Sequence, residues 1–230
     1  LLAVPEHANL ARLVTFDAGA RPKPILVMQL VEGPSLERIK ETAGLDMLRA
    51  IAVLDGVARG LMAMHDAGVG HLDLKPSNVI LHDPDGPGPG LETPVLVDFG
   101  LAGRHIRPGC ATANYGAPEI WGLTPKGVTP TPMAADVYAY GCLAFEVLTG
   151  KELFDGPHEM AILGQHLQHD ADLPALDALA QQKDLLPVAA VLRSAIRQDP
   201  RKRASMAQVH EGLMSGLERL SDARWPLRAA

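Results

Sequence analysis

From Asp136 to Leu148 the chain is apolar nearly all round, with Val137, Tyr140, Leu143, Ala144, Phe145 and Val147 spread over every side of a helix. Such a helix is stable only when other elements cover all of it, so a body must be built around it. Gly150 closes the segment, and helical patterns recur near Glu159–His169, Leu185–Arg197 and Met206–Leu220. Upstream, Asp46–Asp66 is the clearest amphipathic helix. Its Leu48, Ile51, Val57, Ala58, Leu61 and Met62 recur at helical spacing, and Gly68 lies just past its end.

Two strands come first, Leu10–Asp17 and Ile25–Val31, joined by a turn-rich stretch in which Lys23 reads as a solvated charge. Gly33-Pro34 breaks the second strand, and Ser35 is placed to cap a helix over Leu36–Thr42. Val79–Leu81 and Val95–Val97 are short β-like runs on either side of a loop rich in proline and glycine. Gly88-Pro89-Gly90 within that loop is not a phosphate cradle, because a proline has no N–H to offer and no helix follows. The order implies an α+β fold: a small β element, then a mostly helical body carrying short ribbons.

Composition excludes several function classes. Hydrophobic residues make up 47% of the 230 and charged residues 21%, which is globular and not disordered. The net charge of −6, without any Lys/Arg run, argues against a nucleic-acid surface or a membrane patch. Cys110 and Cys142 are too few for a disulfide framework and suit a reducing compartment, so a cytoplasmic location is expected. No apolar stretch is long enough for a transmembrane helix, and no signal-peptide pattern is visible. The chain starts at Leu1 and not at Met, so it is expected to be part of a longer product whose other regions could include a membrane anchor or sensor.

Chemistry concentrates in a series of short clusters: His71-Leu72-Asp73-Leu74-Lys75-Pro76-Ser77-Asn78, Asp98-Phe99-Gly100, Ala117-Pro118-Glu119, Asp136 followed by Gly141, and Asp199-Pro200 with Arg203. In this order and spacing they resemble the C-terminal lobe of a eukaryotic-type (bacterial Hanks-type) serine/threonine protein kinase, from about Leu10 to Leu213. The resemblance implies the kinase fold, with ATP and Mg²⁺ as cofactors and a protein Ser/Thr hydroxyl as acceptor. It makes Asp73 the catalytic base and Lys75 the group that reaches the transferring phosphate. Asn78 and Asp98 become the Mg²⁺ ligands, and hard oxygen donors on loops are what that ion prefers. On the nucleotide side, Met28 would guard the adenine pocket, the backbones of Gln29 and Val31 would contact adenine, and Ile80 would floor the ring.

The same resemblance assigns supporting roles. His71 and Phe99 would form an apolar column with Leu13 and Asp136, Glu119 and Arg203 a buried ion pair, and Thr112 a bond near Asp73 and Lys75. It divides the chain into an N-lobe remnant at 1–31, the C-lobe at 32–220 and a tail at 221–230. Residues before 10 show no glycine-rich phosphate loop, and no lysine strand or partnering glutamate helix is found. Lys40, on a helix after the hinge, cannot substitute, and the hinge strands should expose apolar faces. The alternative reading is accordingly a kinase-like binding module without catalysis. A small-molecule kinase fits less well, because Ala117-Pro118-Glu119 marks a peptide-docking segment.

Several residues depart from the family pattern or carry no assigned role. Cys110 has only Arg107 nearby to activate it and reads as inert. His158, His166 and His169 do not share one helical face, so they do not read as a metal site. The Gly122–Pro132 stretch is longer and richer in proline than usual. Leu72 stands where such kinases usually carry the arginine that pairs with a phosphorylated activation loop, and Thr112 is the one Ser/Thr hydroxyl between Gly100 and Ala117. Loop phosphorylation is therefore expected not to be the main switch. Measuring activity before and after phosphatase treatment checks this, and a gain above about tenfold from a loop phosphosite would contradict the expectation.

Overall fold

The computed structural model describes residues 4, 6–19, 25–42, 44–83, 92–218, 220 and 225–227. Lys23 and the Gly88-Pro89-Gly90 segment lie outside these. Two antiparallel hairpins, seven α-helices and four short 3₁₀ turns account for the regular structure among the described residues; the hairpins are β1 (Leu13–Asp17) with β2 (Ile25–Met28), and β3 (Val79–His82) with β4 (Thr93–Leu96). The helices are α1 (Leu36–Thr42), α2 (Met47–Asp66), α3 (Pro132–Thr149), α4 (Glu159–Leu167), α5 (Pro174–Gln181), α6 (Leu186–Ala195) and α7 (Met206–Leu217).

The all-round apolar helix is α3, and every residue from Ala135 to Thr149 is buried. It begins one turn earlier than its apolar run, because Thr131 Oγ1 accepts from the Ala134 N–H at 3.2 Å and Pro132 stands in the first turn, where its missing N–H costs nothing. Helices α2, α6 and α7 pack around it. Helix α2 is capped by Asp46, whose carboxylate accepts from the Arg49 N–H at 2.8 Å.

Gly56 lets β4 lie directly on α2, since a Cβ there would meet Pro94 Cγ at 2.2 Å. The N-terminal segment locks this contact. Asn9 donates from Nδ2 to the Pro94 carbonyl at 2.8 Å, and its own carbonyl accepts from the Leu96 N–H at 2.9 Å. The hinge exit is tied to β3 in the same manner: the Leu81 N–H donates to the Pro34 carbonyl at 2.9 Å. Gly33 is required there, because its φ is +143° and a Cβ would fall 2.2 Å from the Leu81 carbonyl oxygen. Ser35 caps α1 as expected, accepting from the Arg38 N–H at 3.2 Å.

Element ends differ from the sequence pattern in consistent ways. β1 starts at Leu13, not Leu10, and β2 stops at Met28, not Val31, because a strand needs a paired neighbour as well as apolar alternation. Leu10 instead makes an isolated parallel bridge to Leu96. Helices α4, α6 and α7 end at Leu167, Ala195 and Leu217, short of the expected His169, Arg197 and Leu220. Helix α5 was not expected; it starts on Pro174 and has only 8 residues, too few for a clear period. The hairpin β1–β2 does expose apolar side chains, with Val14 57%, Ile25 52%, Val27 41% and Phe16 39% accessible.

Candidate active site

The loop after α2 is shaped by one buried carboxylate. Asp136, fully buried on α3, accepts from the His71 N–H through Oδ2 and from the Leu72 N–H through Oδ1, each at 2.7 Å. His65 Nε2 lies 2.9 Å from the same Oδ2. These bonds hold Leu72 in the left-handed region at φ +67°, an unusual state for a branched side chain. The Leu72 side chain is buried, so this position contributes packing and not a charge. His71 sits edge-on to Phe99 with ring centroids 5.7 Å apart, and its Nε2 lies 3.0 Å from the Val97 carbonyl. Leu13 is half-buried on β1.

The twist at Leu72 delivers Asp73 to a cluster of polar groups. Lys75 Nζ lies 2.8 Å from Asp73 Oδ2. Thr112 donates from Oγ1 to Asp73 Oδ1 at 3.0 Å and accepts from Lys75 Nζ at 3.1 Å. Asn78 Nδ2 donates to the Asp73 carbonyl at 2.8 Å and approaches Oδ2 at 3.3 Å. The structure thus brings Asp73, Lys75, Thr112 and Asn78 together, although Thr112 is 39 residues from Asp73. A carboxylate held this way can receive a proton, and the adjacent ammonium can neutralise an anion.

The amide orientation of Asn78 turns its side-chain oxygen away from the loop it braces. The Val97 N–H donates to the Asn78 carbonyl at 3.0 Å, so Asp98 leaves β4 beside Asn78. Asp98 is exposed, at φ +60°, and its Oδ1 accepts from the Gly100 N–H at 3.2 Å. One neutral and one anionic oxygen at adjacent backbone positions suit a hard divalent cation that also binds phosphate. At the hinge, the Gln29 N–H donates to the Arg12 carbonyl at 2.8 Å. Ile80 pairs with Val95 across the β3–β4 ribbon, half-buried beneath the hinge exit. A cleft of about 450 Å³ runs along this region, lined in part by Gln29, Val31, His82 and Val95.

Beyond the cluster, Arg203 and Glu119 form a two-pronged pair at 2.5 and 2.8 Å with almost no exposed surface. Arg203 also donates to the Ala134, Arg197 and Gln198 carbonyls, so every arm of the guanidinium is used. Glu119→Gln is expected to lower unfolding stability by about 3 kcal/mol, because it leaves a buried cation without its counter-charge. Chemical denaturation of the two proteins measures this, and a change below about 1 kcal/mol would mean that the carbonyls alone satisfy Arg203.

A second pair gives no local sign in the sequence. Lys40 bonds Glu146 across 106 residues, and the Tyr115 hydroxyl donates to the other Glu146 oxygen at 2.7 Å. Burial pulls the Lys40 ammonium below its usual range despite Glu152, Glu37 and Glu41 nearby, and burial raises the Tyr115 phenol. Lys40 is therefore committed to α3. Cys110 is exposed, and its N–H donates to the Arg107 carbonyl at 3.2 Å. The three histidines divide: His158 caps α4 through Nδ1, whereas His166 and His169 both reach Tyr138. No group of three metal-ligating side chains occurs among the described residues. Nor is any helix among them long and apolar enough to cross a membrane.

Comparison with known proteins agrees with this geometry. The family model described as protein kinase domain matches residues 1–212. Serine/threonine-protein kinase pkn2 of Myxococcus xanthus is 32% identical over 90% of this chain and 25% of its own length. Serine/threonine-protein kinase PkaA of Streptomyces coelicolor is 34% identical over 82% of the chain and 33% of its own, and PkaB of the same organism 41% over 62% and 35%. The chain thus spans about a quarter to a third of the length of these relatives. With the loop anchored on Asp136, the Asp73 cluster and the buried Glu119–Arg203 pair all in one body, the chain belongs to the protein kinase domain family.

Proposed function

We propose that this chain supplies the catalytic large lobe of a cytoplasmic serine/threonine kinase that moves the γ-phosphate of ATP to a protein hydroxyl. The observation that carries the reading is the triangle of Asp73, Lys75 and Thr112, closed on every side by contacts of 2.8–3.1 Å. In it Asp73 accepts the proton of the incoming hydroxyl. Lys75 neutralises charge on the transferring phosphoryl group, and Thr112 fixes both side chains. The backbones of Gln29 and Val31 hold the adenine, with Ile80 beneath it. Asn78 and Asp98 would hold Mg²⁺, which when bound offsets phosphate charge. The relatives bear the name serine/threonine-protein kinase, and the peptide-docking segment after Thr112 favours a protein over a small molecule as acceptor.

The test is phosphate transfer from labelled ATP to a mixed Ser/Thr/Tyr peptide set, using the longest form that the coding sequence supplies. Label recovered on serine and threonine is the expected result. Label confined to tyrosine or to a small molecule, or no transfer at all, overturns the reading.

A further inference from the structure

Trp121 takes no part in the chemistry above, yet it closes on the backbone stretch that carries Thr112. Its indole Nε1 donates to the Gly116 carbonyl at 3.1 Å, and the ring is half-buried. A Cβ at Gly116 would stand 2.9 Å from both Nε1 and Cζ2 of that indole, and 3.1 Å from the Ala111 Cβ. Any side chain at this position would therefore push the ring aside and strain its hydrogen bond. Gly116 is buried and has no side chain, so a neighbour can hold it only through its backbone. Trp121 does so with a rigid ring whose N–H needs a partner once it is covered.

The residue before Trp121 holds the other end of the same stretch. The Gly109 N–H donates to the Ile120 carbonyl at 2.8 Å. Both grips belong to one 3₁₀ turn, Pro118–Trp121. That turn is itself fixed, because Glu119 within it is bound to Arg203. The Gly122 and Leu123 N–H groups close it by donating to the Glu119 and Pro118 carbonyls at 3.2 and 3.1 Å. Two consecutive residues of an anchored turn thus hold Gly109 and Gly116, with Thr112 between them.

We propose that Ile120 and Trp121 form a clasp that positions the Gly109–Gly116 stretch against which the protein acceptor docks, with Trp121 setting the Gly116 end. Trp121 is a positioning residue, and the docking role rests on the kinase reading. Between the two grips the stretch is tied by side chains. Thr112 bonds Asp73 and Lys75, Asn114 donates to Glu152 and to the Phe154 carbonyl, and Tyr115 donates to Glu146. The bonds of Thr112 keep the Asp73 triangle closed when the clasp opens. The effect of losing Trp121 therefore falls on docking before it falls on the chemical step.

The experiment is hydrogen–deuterium exchange at single amides, with peptide kinetics, on the longest form that the coding sequence supplies. The variants are Trp121→Phe, Trp121→Ala, Gly116→Ala and the double variant Trp121→Ala with Gly116→Ala. The reporter is the amide at position 116, which donates to the Thr112 carbonyl at 2.9 Å. The Gly109 amide, held by the Ile120 backbone that these variants keep, and helix α3 are internal controls. We expect protection at position 116 to fall about tenfold in Trp121→Ala and in Gly116→Ala. Trp121→Phe, which keeps a ring but loses the N–H, should lose about threefold. Gly109 and α3 should keep wild-type protection. In the double variant Gly116→Ala should add less than about twofold, because the space its methyl invades is already empty. The KM for the best-labelled peptide should rise about fivefold in Trp121→Ala while the ATP KM holds. Unchanged protection at position 116, equal loosening of Gly109 and α3, or fully additive effects in the double variant overturn the clasp. A fall in kcat at constant peptide KM, the mark of a smaller folded fraction, overturns it too. Loss of protection confined to position 116 in a protein that transfers no phosphate upholds the clasp and removes the kinase reading alone.

Discussion

Asp73→Asn is expected to cut phosphate transfer by about a hundred- to ten-thousand-fold while leaving nucleotide affinity nearly unchanged. The amide has the same size and can still accept from Thr112, whose hydroxyl lies 3.0 Å from Oδ1. It cannot take a proton at neutral pH, and it removes the anion that faces Lys75 at 2.8 Å. Ground-state binding should survive because the proposed nucleotide contacts, at Gln29, Val31 and Ile80, lie on the hinge and on β3. The loss should therefore fall on kcat, as for an interaction that matters only in the transition state. Steady-state kinetics beside nucleotide titration by fluorescence checks both halves. Retention of more than about a tenth of the wild-type kcat would rule out Asp73 as the base. A large loss of nucleotide affinity would place it instead among the binding groups.

Legibility in the sequence followed the range of the interactions. The Asp73–Asn78 stretch could be read because six consecutive residues carry the braced carboxylate, its lysine and the amide that supports the loop. Helix α3 could be read because full burial writes itself as an unbroken apolar surface. Thr112 and Arg203 came only through resemblance, since their partners lie 39 and 84 residues away. Lys40–Glu146 and the Tyr138–histidine cluster were not foreseen. A lysine on a short exposed helix looks solvated, and an all-apolar helix hides a glutamate or tyrosine whose partner comes from a distant loop. By spacing alone the three histidines share no helical face, and nothing local points to a common partner. His169 lies beyond the end of α4, and the tyrosine that gathers both rings comes from α3.

Asp136→Ala is expected to destabilise the fold by about 3–5 kcal/mol and, separately, to lower kcat in the molecules that stay folded. Both effects follow from one carboxylate that fully occupies its oxygens with the His71 N–H, the Leu72 N–H and His65. Removing it leaves two buried backbone donors unpaired, each costing about 1–3 kcal/mol. It also removes what holds Leu72 at φ +67°, a conformation that costs about 1–3 kcal/mol when nothing enforces it. Leu72 should then relax toward negative φ and carry Asp73 away from Thr112 and Lys75. A displacement of about 1 Å at a reacting group can cost a hundredfold in rate. Asp136→Asn gives the graded comparison: it keeps the volume and one acceptor, so its stability loss should be nearer 1–3 kcal/mol, with one N–H facing an amide NH₂. Denaturant unfolding gives the first effect, and kcat at a temperature where each variant is fully folded gives the second. If Asp136→Ala is destabilised but keeps wild-type kcat, the loop holds its twist without the carboxylate. Asp136 would then anchor the body of the domain and not its chemistry.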